Sequence, residues 1–320
     1  MQKILVTGGT GFLGSHIVRK LINERDVEFV TIVTTNIKSR TSIDLLDIES
    51  NKLNLIGGDV RNFDFLQKLF NEYEFDTVLH LGALSEVRKC QSNAKLAYDT
   101  NIGGTVNLLE VARLYGNVKA IIVSSSDKAY GRGKLPYLEE NPLDGEGVYE
   151  VSKSCQDLVA RSYFYNYNLP IVVTRCSNLY GGADTNFSRI IPNTIRRVLN
   201  KKSPIIWSGA QDFIREFLYV EDAAEAYLSL IKNIDITKGN AYNIGSGEKI
   251  TIGALVTKIL KKMSTDIEIE YRERTFPEIN NQYLDSSKIK RDTGWEAKTG
   301  IDEGLQKTIA DFKRMVLREE

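Results

Sequence analysis

Short apolar runs that do not alternate with polar residues recur along the first half of the chain, at 3–7, 27–34, 53–57, 77–81, 120–124 and 171–175. Runs of this kind suit strands covered on both faces. Between them, apolar positions at helical spacing predict helices over 14–24, 63–73, 94–115 and 149–167. The strand–helix–strand repetition predicts an α/β fold with a doubly wound parallel sheet.

After residue 175 the rhythm changes. A loop-rich stretch, 177–187, precedes a helix near 190–200. A strand-like segment, 213–220, and a helix, 221–232, read as a return to the sheet, and 242–244 as one more strand. The remainder mixes a helix, a β-like segment over 266–271 and a final helix from Asp302. The pattern predicts a larger unit from 1–176 and 213–245, with a smaller α/β cap from 177–212 and 246–320.

Composition narrows the partners. Lys and Arg number 42 and balance 42 Asp and Glu, which argues against a partner in nucleic acid or an anionic membrane. No apolar run approaches the ~18 residues of a membrane span. Ile4-Leu5-Val6 runs straight into glycines, so no cleavable signal is read. Cys90, Cys155 and Cys176 are scattered without a C-x-x-C pair, and the histidines are His16 and His80 alone, so no metal site is expected. His80, Cys155 and Cys176 read as packing residues, and His16 as surface or core. The expectation is a cytoplasmic protein.

Thr7-Gly8-Gly9-Thr10-Gly11-Phe12-Leu13-Gly14 follows the first strand and opens the first helix. Glycines at this spacing allow a sharp turn, backbone close to a pyrophosphate, and a helix packed on the strand, whose N-terminal N–H groups face the anion. In this strand–turn–helix setting the turn predicts a Rossmann-type dinucleotide site. The acidic residue expected ~20 residues on is missing, and Thr34, Thr35 and Asn36 stand there. Its absence removes a bar to a 2′-phosphate, which Lys38 and Arg40 could meet, so NAD and NADP both remain. Asp59-Val60 follows the third strand beside the expected adenine, where Asp59 either bonds the base or caps the next helix.

Tyr149 and Lys153 lie four residues apart and share a helix face. A free tyrosine titrates near pH 10, and acting as a base near neutrality needs a drop of ~3 units, about 4 kcal/mol. A cation ~4 Å away at an effective dielectric of 20 supplies about that much. Upstream, Ser126 leaves a strand at the sheet's carboxyl edge, where it can bond the oxygen being deprotonated.

With these motifs in hand the chain resembles the extended short-chain dehydrogenase/reductases, within them the nucleotide-sugar epimerases and dehydratases. The resemblance runs over nearly the whole length, through 7–14, 59–60, 80–83, 101–105, 124–131, 149–153, 175–181, 215–222, 242–247 and 294–295. It implies a tightly held NAD or NADP, contacted by Gly8, Gly11, Phe12, Leu13, Gly14, Asp59, Val60, Leu81, Ala83, Asn101, Tyr149 and Lys153. It implies a nucleoside-diphosphate sugar in the cap, met by Asn178, Arg215 and Arg274, with Arg272 as rival to Arg274. Tyr149 then takes the sugar 4-hydroxyl proton while C4 gives hydride to the ring.

Beyond C4 oxidation the branches diverge. A 4-epimerase returns hydride to the other face of the ketosugar. A 4,6-dehydratase removes the C5 proton, expels the 6-hydroxyl as water and delivers hydride to C6, so it needs an added acid and base. Epimerases of the family usually carry small or non-ionising residues after the serine, whereas Asp127 and Lys128 stand here, as in CDP-glucose 4,6-dehydratases and inverting UDP-N-acetylglucosamine dehydratases. The reading is a dehydratase, with Asp127 as acid toward the 6-oxygen and Lys128 as base or enolate stabiliser. The alternatives are a 4-epimerase, a sugar reductase or oxidase, a nucleotide sensor and, for the Asp127–Lys128 pair alone, a surface ion pair. Helices 94–115 and 149–167 are expected to pair with their copies in a homodimer.

Overall fold

The structure is a computed structural model that describes residues 2–37, 41–273 and 279–317. The strands are β1 (Gln2–Thr7), β2 (Val27–Thr34), β3 (Leu53–Gly57), β4 (Thr77–His80), β5 (Ala120–Ser124), β6 (Ile171–Cys176), β7 (Asn178–Tyr180), β8 (Ile205–Trp207), β9 (Ile214–Tyr219), β10 (Ala241–Ile244), β11 (Lys249–Thr251) and β12 (Glu270–Arg272). Seven form one sheet in the order β10-β6-β5-β4-β1-β2-β3, every pair parallel. Strand order reverses between β1 and β4, the crevice where open α/β sheets take ligands.

Side chains alternate across this sheet, so each apolar run serves two cores. Ile4, Val6, Ile32, Leu79, Ile122 and Val172 face helices Phe12–Leu21 and Val220–Lys232. Leu5, Val33, Val78, Ile121 and Val173 face helices Phe63–Tyr73, Gly104–Tyr115 and Val148–Tyr167. Each fully buried aliphatic side chain contributes about 1.5–3 kcal/mol, and burial on both faces is why the runs do not alternate.

Three expectations change. The segment 213–220 does not return to the large sheet: β9 lies in a small sheet of order β11-β9-β7. The cause is polar. Arg215 and Glu216 sit mid-strand, and the buried Glu216 carboxylate accepts from the N–H groups of Gly247 and Leu284 at 2.7 Å each, a pairing that an apolar sheet interior does not offer. The helix after β9, Val220–Lys232, does return and packs on helix Phe12–Leu21. The single helix over 94–115 is broken into Ala94–Tyr98, a π-turn Asp99–Gly103 and Gly104–Tyr115. The wide turn carries the Asn101 side chain inward, where it bonds both the N–H and the carbonyl of Leu84. The β-like segment over 266–271 narrows to β12, which pairs with β8.

At the carboxyl edge of β6, Arg175 is buried and its guanidinium donates to both oxygens of the buried Asp157, at 2.7 and 3.1 Å. It also donates to the Tyr130 hydroxyl at 2.7 Å, which donates to Asn243 on β10 at 2.7 Å. Removing one partner leaves a buried unpaired charge, so Asp157→Asn is expected to cost about 3–5 kcal/mol, read as a lowered midpoint in denaturant unfolding.

Candidate active site

The glycine turn is a cradle that side chains would fill. Gly8 has φ +70°, and a Cβ there would lie 2.8 Å from the Gly82 nitrogen; at Gly14 it would lie 2.3 Å from the Gly8 carbonyl. The turn therefore closes against the end of β4, and helix Phe12–Leu21 starts directly on it, with Gly11 as N-cap and no side-chain cap. Its first intrahelical bond runs from Ser15 to Gly11, which leaves the N–H groups of Phe12 and Leu13 at the helix end for an anion. Leu81 and Ala83, half-buried, follow β4 on the other side of the crevice.

The ends of β2 and β3 hold a cleft of about 500 Å³ lined by Thr34, Thr35, Asn36, Gly58 and Asp59. Asp59 also borders a cleft of about 700 Å³ with Arg61, Asn62 and Asn107. The Asp59 carboxylate is held below its ordinary range by the Arg61 guanidinium, 2.6 Å away. It does not cap the next helix, because Asn62 does so by accepting from Phe65 N–H. Val60 is buried on Gly104, so it offers the crevice little beyond its backbone. Lys38 and Arg40 lie outside the described residues.

Across the crevice, β5 ends at Ser124 and Ser126 caps a short 3₁₀ turn, Asp127–Tyr130. Helix Val148–Tyr167 runs beside it and carries Tyr149 and Lys153. Burial, with the Asp127 charge, pushes the Tyr149 phenol pKa up to about 12, against the pull of the nearby Ser126 and Arg189. The buried Lys153 ammonium donates to the Ser124 carbonyl at 2.7 Å and to Gln156 Oε1 at 2.8 Å, and burial pulls its pKa down to about 8. Ser126 on the turn after β5, and Tyr149 and Lys153 on the neighbouring helix, thus stand at the carboxyl edge of the sheet. Asn101 lies beneath this trio, its amide donating to Leu84 and to Ser152 at 2.9 Å; it holds the loop after β4 rather than facing the crevice.

The strand has ended before Asp127 and Lys128, which lets both serve one site. Asp127 is only 3% exposed, so the surface ion pair is not what forms. Its Oδ1 accepts from Ser126 at 3.1 Å, and Oδ2 is buried without a protein partner. Burial raises the carboxyl pKa against the pull of Lys128, Ser126 and Arg215. Lys128 reaches Gln282 Oε1 at 3.4 Å, while the Gln282 Nε2 is buried and unpartnered. Gln282 carries no motif, and only its approach to Lys128 across 154 positions reveals it.

Asn178 on β7 donates to the Glu216 carbonyl at 3.2 Å. Arg215 is buried, and its guanidinium donates to the carbonyls of Ile214 and Asn280, at 3.0 and 2.7 Å, and to that of Ile279; it organises the 279–282 backbone. Arg274 lies outside the described residues, and Arg272 pairs with Glu270. Arg189, not singled out by sequence, stands 5.5 Å over the Phe12 ring and adds positive potential at Tyr149. His16 is core, bonded to the Gly182 carbonyl at 3.0 Å. His80, read as packing, instead hydrogen-bonds through both ring nitrogens.

A glycine cradle between β1 and β4, on a doubly wound sheet whose carboxyl edge also carries Ser126, Tyr149 and Lys153, is the arrangement of a dinucleotide-dependent enzyme. The sequence profile described as GDP-mannose 4,6 dehydratase matches residues 5–308, and the chain belongs to that family of nucleotide-sugar enzymes. It is similar to the dTDP-glucose 4,6-dehydratase of Haemophilus influenzae, 32% identical with 97% of each chain covered. It is also similar to a putative UDP-glucose 4-epimerase of Methanocaldococcus jannaschii, 31% identical over 96% of this chain and 97% of that one. The crystal structure of dTDP-glucose 4,6-dehydratase from Bacillus anthracis in complex with NAD superposes with a TM-score of 0.87, at 27% identity, over 98% of this chain and 97% of that one.

Because the Gly14 Cβ would overlap the Gly8 carbonyl, Gly14→Val is expected to abolish nicotinamide dinucleotide binding while far-UV circular dichroism stays native. Absorbance of the cofactor released on denaturation measures the first.

Proposed function

We propose that the protein is a nucleotide-sugar 4,6-dehydratase. The observation that carries the reading is Asp127, a buried carboxyl of raised pKa with one oxygen lacking a protein partner, set beside Ser126 and Lys128. A 4-epimerase has no use for an acid there, because it expels no leaving group.

NAD is the proposed cofactor, as in the Bacillus anthracis relative. The absence of a carboxylate among Thr34, Thr35 and Asn36 makes NADP the competitor in a binding titration. The glycine cradle fits a pyrophosphate, Asp59 and Thr34 border the cleft for the adenosine end, and Lys153 and Tyr149 stand at the nicotinamide end. A bound nicotinamide ring supplies hydride acceptance from C4 and its return to C6.

The chain's residues handle the protons. Tyr149 Oη takes the 4-hydroxyl proton, held in place by Ser126, and the Lys153 ammonium stabilises the phenolate. The C4 ketone makes the C5 proton acidic; Lys128 accepts it, stabilises the enolate as the resulting cation, and gives the proton back to C5 once hydride has reached C6. Asp127 gives its proton to the 6-oxygen, which leaves as water. Gln282 offers its unpartnered N–H to the sugar and steadies Lys128. Asn178 and Arg215 are proposed to meet the diphosphate. The protein is proposed to work in the cytoplasm as a homodimer; among the described residues no helix is long and apolar enough to cross a membrane.

Incubation with CDP-, UDP-, dTDP- and GDP-sugars, with products read by NMR, tests the reading. A 4-keto-6-deoxy product is expected, CDP-glucose being the first candidate; an inverted C4 would make the protein an epimerase. Asp127→Asn and Lys128→Met are each expected to slow dehydration by about 10²-fold or more while C4 oxidation in a single turnover persists. Wild-type dehydration in Lys128→Met would remove that residue from the mechanism.

The dimer has its own check. Leu114, Leu158, Tyr165 and Tyr167 are all more than half exposed on helices Gly104–Tyr115 and Val148–Tyr167. Light scattering is expected to give twice the 36.1 kDa chain mass, and Leu158→Arg to give the monomer.

A further inference from the structure

The catalytic lysine is the end of a longer buried chain. Gly82 N–H donates to Thr7 Oγ1 at 3.0 Å, and Thr7 Oγ1 meets His80 Nδ1 at 2.8 Å. His80 Nε2 meets Thr105 Oγ1 at 2.9 Å, and Gln156 Nε2 donates to the same oxygen at 2.9 Å. Gln156 Oε1 accepts from Lys153 at 2.8 Å. Thr7, His80, Thr105, Gln156 and Lys153 are all 3% exposed or less.

The proton positions follow by counting. A threonine hydroxyl has one hydrogen and two lone pairs. Thr105 gives its hydrogen to the Asn101 carbonyl at 2.6 Å, so it can only accept from Gln156 and from His80. His80 Nε2 therefore carries the hydrogen, and Nδ1 accepts from Thr7, whose lone pairs are open to Gly82 N–H. At the other end, Gln156 donates through Nε2 and so presents Oε1 to Lys153. An ammonium has three donors; with Ser124 O and Gln156 Oε1 taking two, the third is left for the reacting groups.

We infer that His80 is a positioning residue: as the neutral Nε2–H tautomer it fixes the direction of the chain Thr7–His80–Thr105–Gln156–Lys153, and so aims the third N–H of Lys153 into the active site. The chain also ties the turn that cradles the dinucleotide to the amine that serves the phenol. Burial and the Lys153 charge both keep the imidazole neutral, with its pKa pulled down to about 3. The inference deepens the proposed function and rests on Lys153 assisting C4 oxidation, a step that dehydratase and epimerase share.

Two measurements test it on the full chain. In ¹⁵N-histidine spectra the protein has two imidazoles to read, and His16→Gln leaves His80 alone. A non-titrating Nε2–H signal from pH 5 to 8 is expected, with or without added dinucleotide, and in the unmodified protein both rings are expected neutral at pH 7 if that variant does not fold. An Nδ1–H tautomer or a charged ring would overturn the inference whatever the enzyme's reaction. The second measurement compares Thr105→Val with Thr105→Ser. The valine variant is expected to lower kcat by about 10²-fold with KM within about twofold, and the serine variant to restore it. Groups facing Tyr149 and Lys153 are Asp127, Arg189, Cys90, Cys176 and His80, and all are retained. A loosened ammonium supports the phenolate less, so the acidic limb of the kcat profile is expected to move to higher pH. Wild-type kcat and an unmoved limb in Thr105→Val would overturn the inference, whereas a wild type making the other sugar product would overturn the dehydratase reading alone.

Discussion

The hydrogen bond from the buried Lys153 ammonium to the Ser124 carbonyl is the contact around which the site is arranged. It joins the end of β5 to the helix that carries Tyr149, and so fixes the distance between the serine-bearing turn and the phenol. Burying an ammonium costs several kcal/mol unless its protons are received, and here two neutral oxygens receive them in place of a carboxylate. A carboxylate would cancel the positive potential that the phenol needs. Neutral acceptors keep the charge in place and its field intact.

The same economy of charge separates two buried carboxyl groups, Glu216 and Asp127. Glu216 spends both oxygens on backbone N–H groups and holds the small sheet to the segment around Leu284. Asp127 has one oxygen without such a partner. Two buried acids of raised pKa therefore differ in how far they are satisfied, as decided by the backbone donors within reach.

The parts that were legible in the sequence are those whose signal is local. The glycine turn, the Tyr149–Lys153 spacing and the strands of the large sheet each depend on neighbours within a few residues, and each stands where periodicity puts it. Position 213–220 misled because an apolar strand looks alike in either sheet; the polar pair Arg215–Glu216 was the available sign that it belonged elsewhere. Gln282 and Arg189 were not legible, because each joins the site from a distant segment. His80 reads as filling, since one histidine in an apolar run gives no hint of partners at Thr7 and Thr105. Asn101 reads from the sequence as a cofactor contact, but its amide turns to Leu84 and Ser152, which no spacing rule reveals.

The order of strands along the chain has a consequence for synthesis. β10, the outermost strand beside β6, is made after β7, β8 and β9 have already left for the small sheets. Until residue 244 has emerged, β6 presents a row of open peptide groups from Ile171 to Cys176, an edge onto which a neighbouring polypeptide can graft itself. The nascent chain therefore carries an open edge at β6 until the seventh strand of the large sheet is made.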